Sequence, residues 1–138
     1  MKPRLLVDTG PLVALFHTKD KQHAWTRGQL STITGPLHTC EAVVSEALFL
    51  LARIGVQERT FWKLFDRDVL RIAFSLQSEH AAVAALMHKY ASVPMSLADA
   101  CLVRMSEAHV DSVLLTFDSD FSVYRRRGRQ IIPTLTPA

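Results

Sequence analysis

Short apolar strands alternating with amphipathic helices predict an α/β protein. The expected architecture is a three-layer α/β/α sandwich around a mostly parallel sheet of about five strands. Three observations carry this reading. The strand cores, such as Leu5-Leu6-Val7 and Ser112-Val113-Leu114-Leu115-Thr116, are continuous apolar runs rather than period-two alternations, so both sheet faces are covered. Helical segments separate the strands, and right-handed crossovers then put helices on both faces. The 138 residues, 49% hydrophobic and 21% charged, suit one globular domain spanning 1–138 and exclude wholesale disorder.

Each element has its own signal. The strand at 5–7 runs into Asp8-Thr9-Gly10-Pro11, a helix start, with Pro11 in the first turn where its missing N–H needs no partner. That helix is expected to reach Phe16, with a second over 22–30. Gly35-Pro36 breaks the chain before a short strand, Leu37-His38-Thr39. Val43, Ala47, Leu50 and Ile54 recur at helical spacing, so 41–54 is a helix stopped by Gly55. A helix over 57–65, a strand over 69–74 and helices over 78–90 and 96–109 follow. The strand at 112–116 leads into Phe117-Asp118-Ser119-Asp120-Phe121, and 130–132 is expected as the last strand.

Charge and cysteine content narrow the function classes. The formal net charge is +3, yet residues 121–138 contain Arg125, Arg126, Arg127 and Arg129 and no acid, leaving −1 elsewhere. The basic field is therefore a corner rather than a global one. Two cysteines, Cys40 and Cys101, are too few for a disulfide framework or a four-cysteine zinc site and read as small buried hydrophobes. No apolar run approaches membrane-spanning length, and Asp8 interrupts the first run too soon for a signal peptide, so a cytoplasmic protein is expected. A mean hydropathy of +0.13 leaves apolar surface for a partner or a second copy.

Ligands of parallel sheets bind at the carboxyl ends of the strands. Asp8 ends the first strand, Asp118 and Asp120 follow the strand at 112–116, Asp99 lies in the first turn of the helix after Ser96, and Glu46 lies in the helix after the strand at 37–39. All five can converge on one rim. Each also has a structural alternative: Asp8 as a helix cap, Asp99 as the third residue of a capping box, Asp118 and Asp120 as turn closers. Glu46 is flanked at i±3 and i±4 by Ala42, Val43, Phe49 and Leu50, a costly apolar setting unless compensated, with Arg53 as the alternative partner. Carboxylates gathered at one rim repel unless some stay protonated or a cation neutralises them. All-oxygen donors select Mg²⁺ or Mn²⁺, whose chemistry includes phosphodiester hydrolysis.

The same residues carry a family likeness. Leu6-Val7-Asp8-Thr9, Val44-Ser45-Glu46, Ser96-Leu97-Ala98-Asp99-Ala100 and Leu115-Thr116-Phe117-Asp118-Ser119-Asp120-Phe121, in this order, resemble the PIN-domain ribonucleases, especially the VapC-type toxins of toxin–antitoxin pairs. The resemblance implies a Mg²⁺- or Mn²⁺-dependent endoribonuclease acting on RNA, with transfer RNA one candidate, and a homodimer inhibited by a cognate antitoxin protein. It assigns Asp8, Glu46, Asp99 and Asp118 to the acidic quartet, Asp120 to an auxiliary acid, and Thr116 to a hydroxyl residue that holds a water or phosphate. Lys19 to Ala24 matches a segment whose Asp20 and His23 are structural. Gly10 departs from the Ser or Asn frequent after Asp-Thr. Thr9 and the Arg125, Arg126, Arg127 run are the candidate RNA contacts, the arginines being equally readable as a solvated loop.

Two other classes compete. A receiver-type phosphotransfer domain needs an acidic pair after its first strand and a late lysine, whereas Asp8 stands alone and no lysine follows Lys89. A phosphatase of the haloacid-dehalogenase type needs Asp-x-Asp there, and P-loop or dinucleotide folds need glycine motifs that are missing. A non-catalytic RNA- or protein-binding module needs the acids scattered or matched by basic partners. Trp25, Phe61, Trp62 and Phe65 read as core or interface.

Overall fold

The computed structural model describes residues 3–137. Strand β1 (Arg4–Val7) is followed by helices α1 (Thr9–Phe16) and α2 (His23–Ser31), strand β2 (Leu37–Thr39), and helices α3 (Glu41–Arg53) and α4 (Glu58–Asp66). Strand β3 (Leu70–Ile72), helices α5 (Leu76–Lys89) and α6 (Leu97–Ala108) and strand β4 (Ser112–Leu115) complete the main body. A short 3-10 turn (Ser119–Ser122) and strands β5 (Arg125–Arg126), β6 (Gln130–Ile131) and β7 (Thr134–Leu135) close the chain.

The central sheet has five strands in the order β3-β2-β1-β4-β7, and every pairing in it is parallel. The chain walks from β1 through β2 to β3 by way of α1–α4. It then crosses back through α5 and α6 to β4 on the other side of β1. Right-handed crossovers in opposite directions put the two helix sets on opposite faces. The packing of α1 on α2 and α3, and of α5 on α6, agrees with this. The expected three-layer α/β/α fold with about five strands is therefore the observed one.

The core lies where the two layers meet the sheet. Leu6, Val7, Leu114 and Leu115 of the central strands are buried with Leu12, Val43, Ala47, Leu102 and Val103 of the helices. Cys40 and Cys101 are buried free thiols, as their composition led us to expect.

Two elements differ from expectation. The segment at 130–132 is not the last sheet strand. Left-handed backbone at Arg127 and Gly128 folds the chain back, so β6 pairs antiparallel with β5, and β7 takes the sheet edge beside β4. In α3 the buried positions are Val43, Val44, Ala47 and Leu51, while Ile54 is exposed. The buried face includes Val43 and Ala47 of the periodic set but turns toward Val44 and Leu51 rather than Leu50 and Ile54.

Candidate active site at the carboxyl rim of the sheet

The rim is built by caps. Asp8 directly follows β1 and is the N-cap of α1; its Oδ1 accepts the Thr9 amide at 2.7 Å. Ser96 caps α6 by accepting the Asp99 amide at 3.1 Å, which fixes Asp99 in the first turn. Asp118 caps the 3-10 turn and accepts the Asp120 amide at 2.9 Å. The cap and turn alternatives are thus realised for Asp8, Asp99 and Asp118.

The remaining oxygens meet. Asp99, Asp118 and Asp120 each place one carboxylate oxygen so that the three lie within 4.8 Å of one another. Asp8 adjoins them, since Asp99 and Asp118 both act on its charge. Thr116, fully buried at the end of β4, joins the parts: its Oγ1 donates to Asp8 Oδ2 at 2.7 Å and accepts the Asp118 amide at 3.0 Å. Tyr124 was not anticipated. Its buried hydroxyl donates to Asp99 Oδ2 at 2.9 Å, and no spacing or composition signal in the sequence links residues 25 apart in this way.

The electrostatics are those of crowded acids without a counter-ion. Burial, the largest effect, pushes the Asp8 carboxyl up to about 6, with Asp99 and Asp118 adding repulsion; the bonds from Thr116 and Thr9 hold it lower than burial alone would. Burial also raises Asp99, again reinforced by Asp118 and opposed by Tyr124. No basic side chain makes an ion pair with these four acids among the described residues. Clustered hard oxygen donors with raised proton affinity fit a divalent cation such as Mg²⁺ or Mn²⁺.

Several expected contacts are corrected. Glu46 is exposed rather than set in an apolar face, because the neighbouring Phe49 is itself 62% exposed, and it is not one of the three clustered acids. Arg53 stacks over the Phe49 ring at 5.7 Å instead of reaching Glu46. The Thr9 hydroxyl is buried without a partner among the described residues. Arg126 is 7% exposed and donates to the Ser106 and Val110 carbonyls at the far end of α6, about 10 Å along the axis from Asp99. Arg127 bonds to Glu107, and Arg125 to the carbonyls of residues 122–124. Arg126 and Arg127 fasten the β5-β6 hairpin to the end of α6, and Arg125 braces the turn at residues 122–124.

The departure at Gly10 has a steric cause. A Cβ there would stand 2.9 Å from Cδ2 of Phe117, whose ring packs edge-on against Trp25. Asp20 and His23 are structural: Asp20 accepts the Gln22 amide, and the His23 ring bonds to the Ala14 carbonyl.

The PIN domain model matches residues 5–127. The chain belongs to the PIN domain family. PIN domains are generally metal-dependent nucleases, and the acidic group of this PIN domain is compatible with that chemistry. No match is found among curated proteins.

Proposed function

We propose that this PIN domain is a cytoplasmic, Mg²⁺- or Mn²⁺-dependent endoribonuclease, the toxin of a type II toxin–antitoxin pair. The observation that carries the reading is the meeting of Asp99, Asp118 and Asp120 within 4.8 Å, with Asp8 beside them and no ion pair to neutralise them among the described residues. Asp8, Asp99 and Asp118 are the proposed ligands and Asp120 an auxiliary one. Glu46, exposed on α3, is kept as a further acid available to a cation shared with substrate.

A bound divalent ion supplies Lewis-acid polarisation of the scissile phosphate and lowers the pKa of the attacking water. The chain's own residues prepare that chemistry. Thr116 fixes one Asp8 oxygen and the Asp118 backbone with a single hydroxyl, so both carboxylates are held before substrate arrives. Tyr124 orients Asp99 in the same way. Burial of Asp8 favours its protonated form, so the site is expected to need pH above about 6 for full charge.

The homodimer and the antitoxin partner are carried by the family likeness and by exposed Phe49, Ile54 and Trp62 on and beside α3 and α4, an apolar surface fit for a protein partner. RNA is the proposed substrate, and transfer RNA the first to try. The test is purified protein with total RNA, in Mg²⁺ or in EDTA, beside Asp99→Asn. Cleavage that needs the cation and disappears in the variant supports the reading, and sequencing the new ends names the target. Cleavage surviving both EDTA and Asp99→Asn would overturn it.

A further inference from the structure

A second site of opposite sign lies at the other end of the sheet. β1 begins at Arg4, and β2 and β3 carry His38 and Arg71. The register pairs Leu6 with His38 and His38 with Arg71, so these side chains share a sheet face. Arg4, two residues before Leu6, shares it too. Arg4, His38 and Arg71 line one cavity of about 560 Å³, closed on one side by Ile33 and Pro36 of the loop entering β2. No carboxylate lines it among the described residues. On an extended strand Arg4 lies about 13 Å before Asp8, and His38 and Arg71, level with Leu6, lie about 7 Å before it.

The groups lining the cavity are incompletely used. The His38 ring lines it, while its Nδ1 is closed off from solvent and has no hydrogen-bond partner among the described residues. Arg4 spends one guanidinium nitrogen on His109 Nε2 at 3.0 Å, which leaves His109 neutral at that atom and Arg4 without an acid. Arg71 is paired by Nε and one terminal nitrogen with Asp68, which leaves its other terminal nitrogen free to donate. Two guanidiniums and an imidazole around a pocket this size match a phosphate group carried by a small ligand.

We propose that this cavity binds a phosphate group, as free phosphate or as the phosphate of a nucleotide whose apolar part packs on Ile33 and Pro36. The site is independent of the nuclease reading, because the acidic rim takes no part in it. Burial, then the Arg4 and Arg71 guanidiniums, hold His38 below its ordinary value; an anion here offsets those two cations and moves it back up. Asp68 holds Arg71 through both carboxylate oxygens.

The test is calorimetric titration of the full chain in EDTA at low salt with inorganic phosphate, adenosine 5′-monophosphate and adenosine. EDTA keeps phosphate from entering the acidic rim on a cation. Binding by either phosphate species and not by adenosine is expected, and the ratio of the two affinities names the source. Arg71→Gln should weaken binding about tenfold, or about 1.4 kcal/mol. Asp68→Asn, which frees Arg71, should tighten it. Arg53→Gln removes the same charge from a remote helix and should change nothing. The His38 ring resonances should shift on saturation and titrate at higher pH. Absence of binding, equal losses in Arg71→Gln and Arg53→Gln, or unmoved His38 resonances would each overturn the proposal.

Discussion

Asp8 uses its two oxygens for two bonds, one to the Thr9 amide and one to the Thr116 hydroxyl, and still stands beside two like charges. Its folded pKa of about 6 exceeds the ordinary 3.8, so the folded chain binds more protons than the unfolded one between those values. Metal-free stability should therefore rise as pH falls from 7 through 6, by up to about 3 kcal/mol for full protonation. Asp8→Asn removes this penalty while keeping a good helix cap. It should raise the melting temperature in EDTA at pH 7 and abolish the stabilisation that Mn²⁺ gives the parent protein. A lower melting temperature in EDTA would show that the carboxylate is not strained. Thr116→Val removes the bond that holds Asp8 down. Its activity profile should shift to higher pH, alongside a loss of about 1–3 kcal/mol in stability from the unpaired Asp118 amide.

Helix α6 is tied at both ends by residues from the last quarter of the chain. Tyr124 holds Asp99 in its first turn, and Arg126 donates to the carbonyls of Ser106 in its last turn and of Val110 just past its end. The two ties should separate experimentally. Tyr124→Phe leaves Asp99 without its orienting donor and should weaken Mn²⁺ binding about 10-fold or more, measured by calorimetry. Arg126→Gln should lower the melting temperature, because buried carbonyls lose charged donors, while the folded fraction cleaves RNA at the parent rate. A selective loss of RNA affinity in Arg126→Gln would restore the arginine run to the substrate surface. α3 teaches the complementary lesson. Its apolar residues at 43, 47, 50 and 54 fit helical spacing as well as the observed buried set does, so periodicity alone could not say which face turns inward. The setting of Glu46 depended on that face.

At the scale of the molecule, one sheet separates two charge environments, acids at the carboxyl ends of its strands and Arg4, His38 and Arg71 toward the amino ends. The parallel arrangement makes this separation possible, because every strand of the sheet points the same way and caps gather at one rim. Much of this was legible beforehand. Apolar runs bounded by helix-cap residues gave the strands, and an Asp directly after a strand locates itself at the rim whatever the packing. The sequence by itself determined the fold class, the order of the helices and the main-sheet strands through β4, and the positions of Asp8, Asp99 and Asp118 at element ends, because local pattern and residue type suffice for these. The tertiary structure decided that Tyr124 holds Asp99, that Arg126 is interior, that Glu46 is exposed and that β7 rather than 130–132 closes the sheet. Those facts depend on contacts between distant residues and on which face a side chain turns toward solvent, and no local periodicity encodes either.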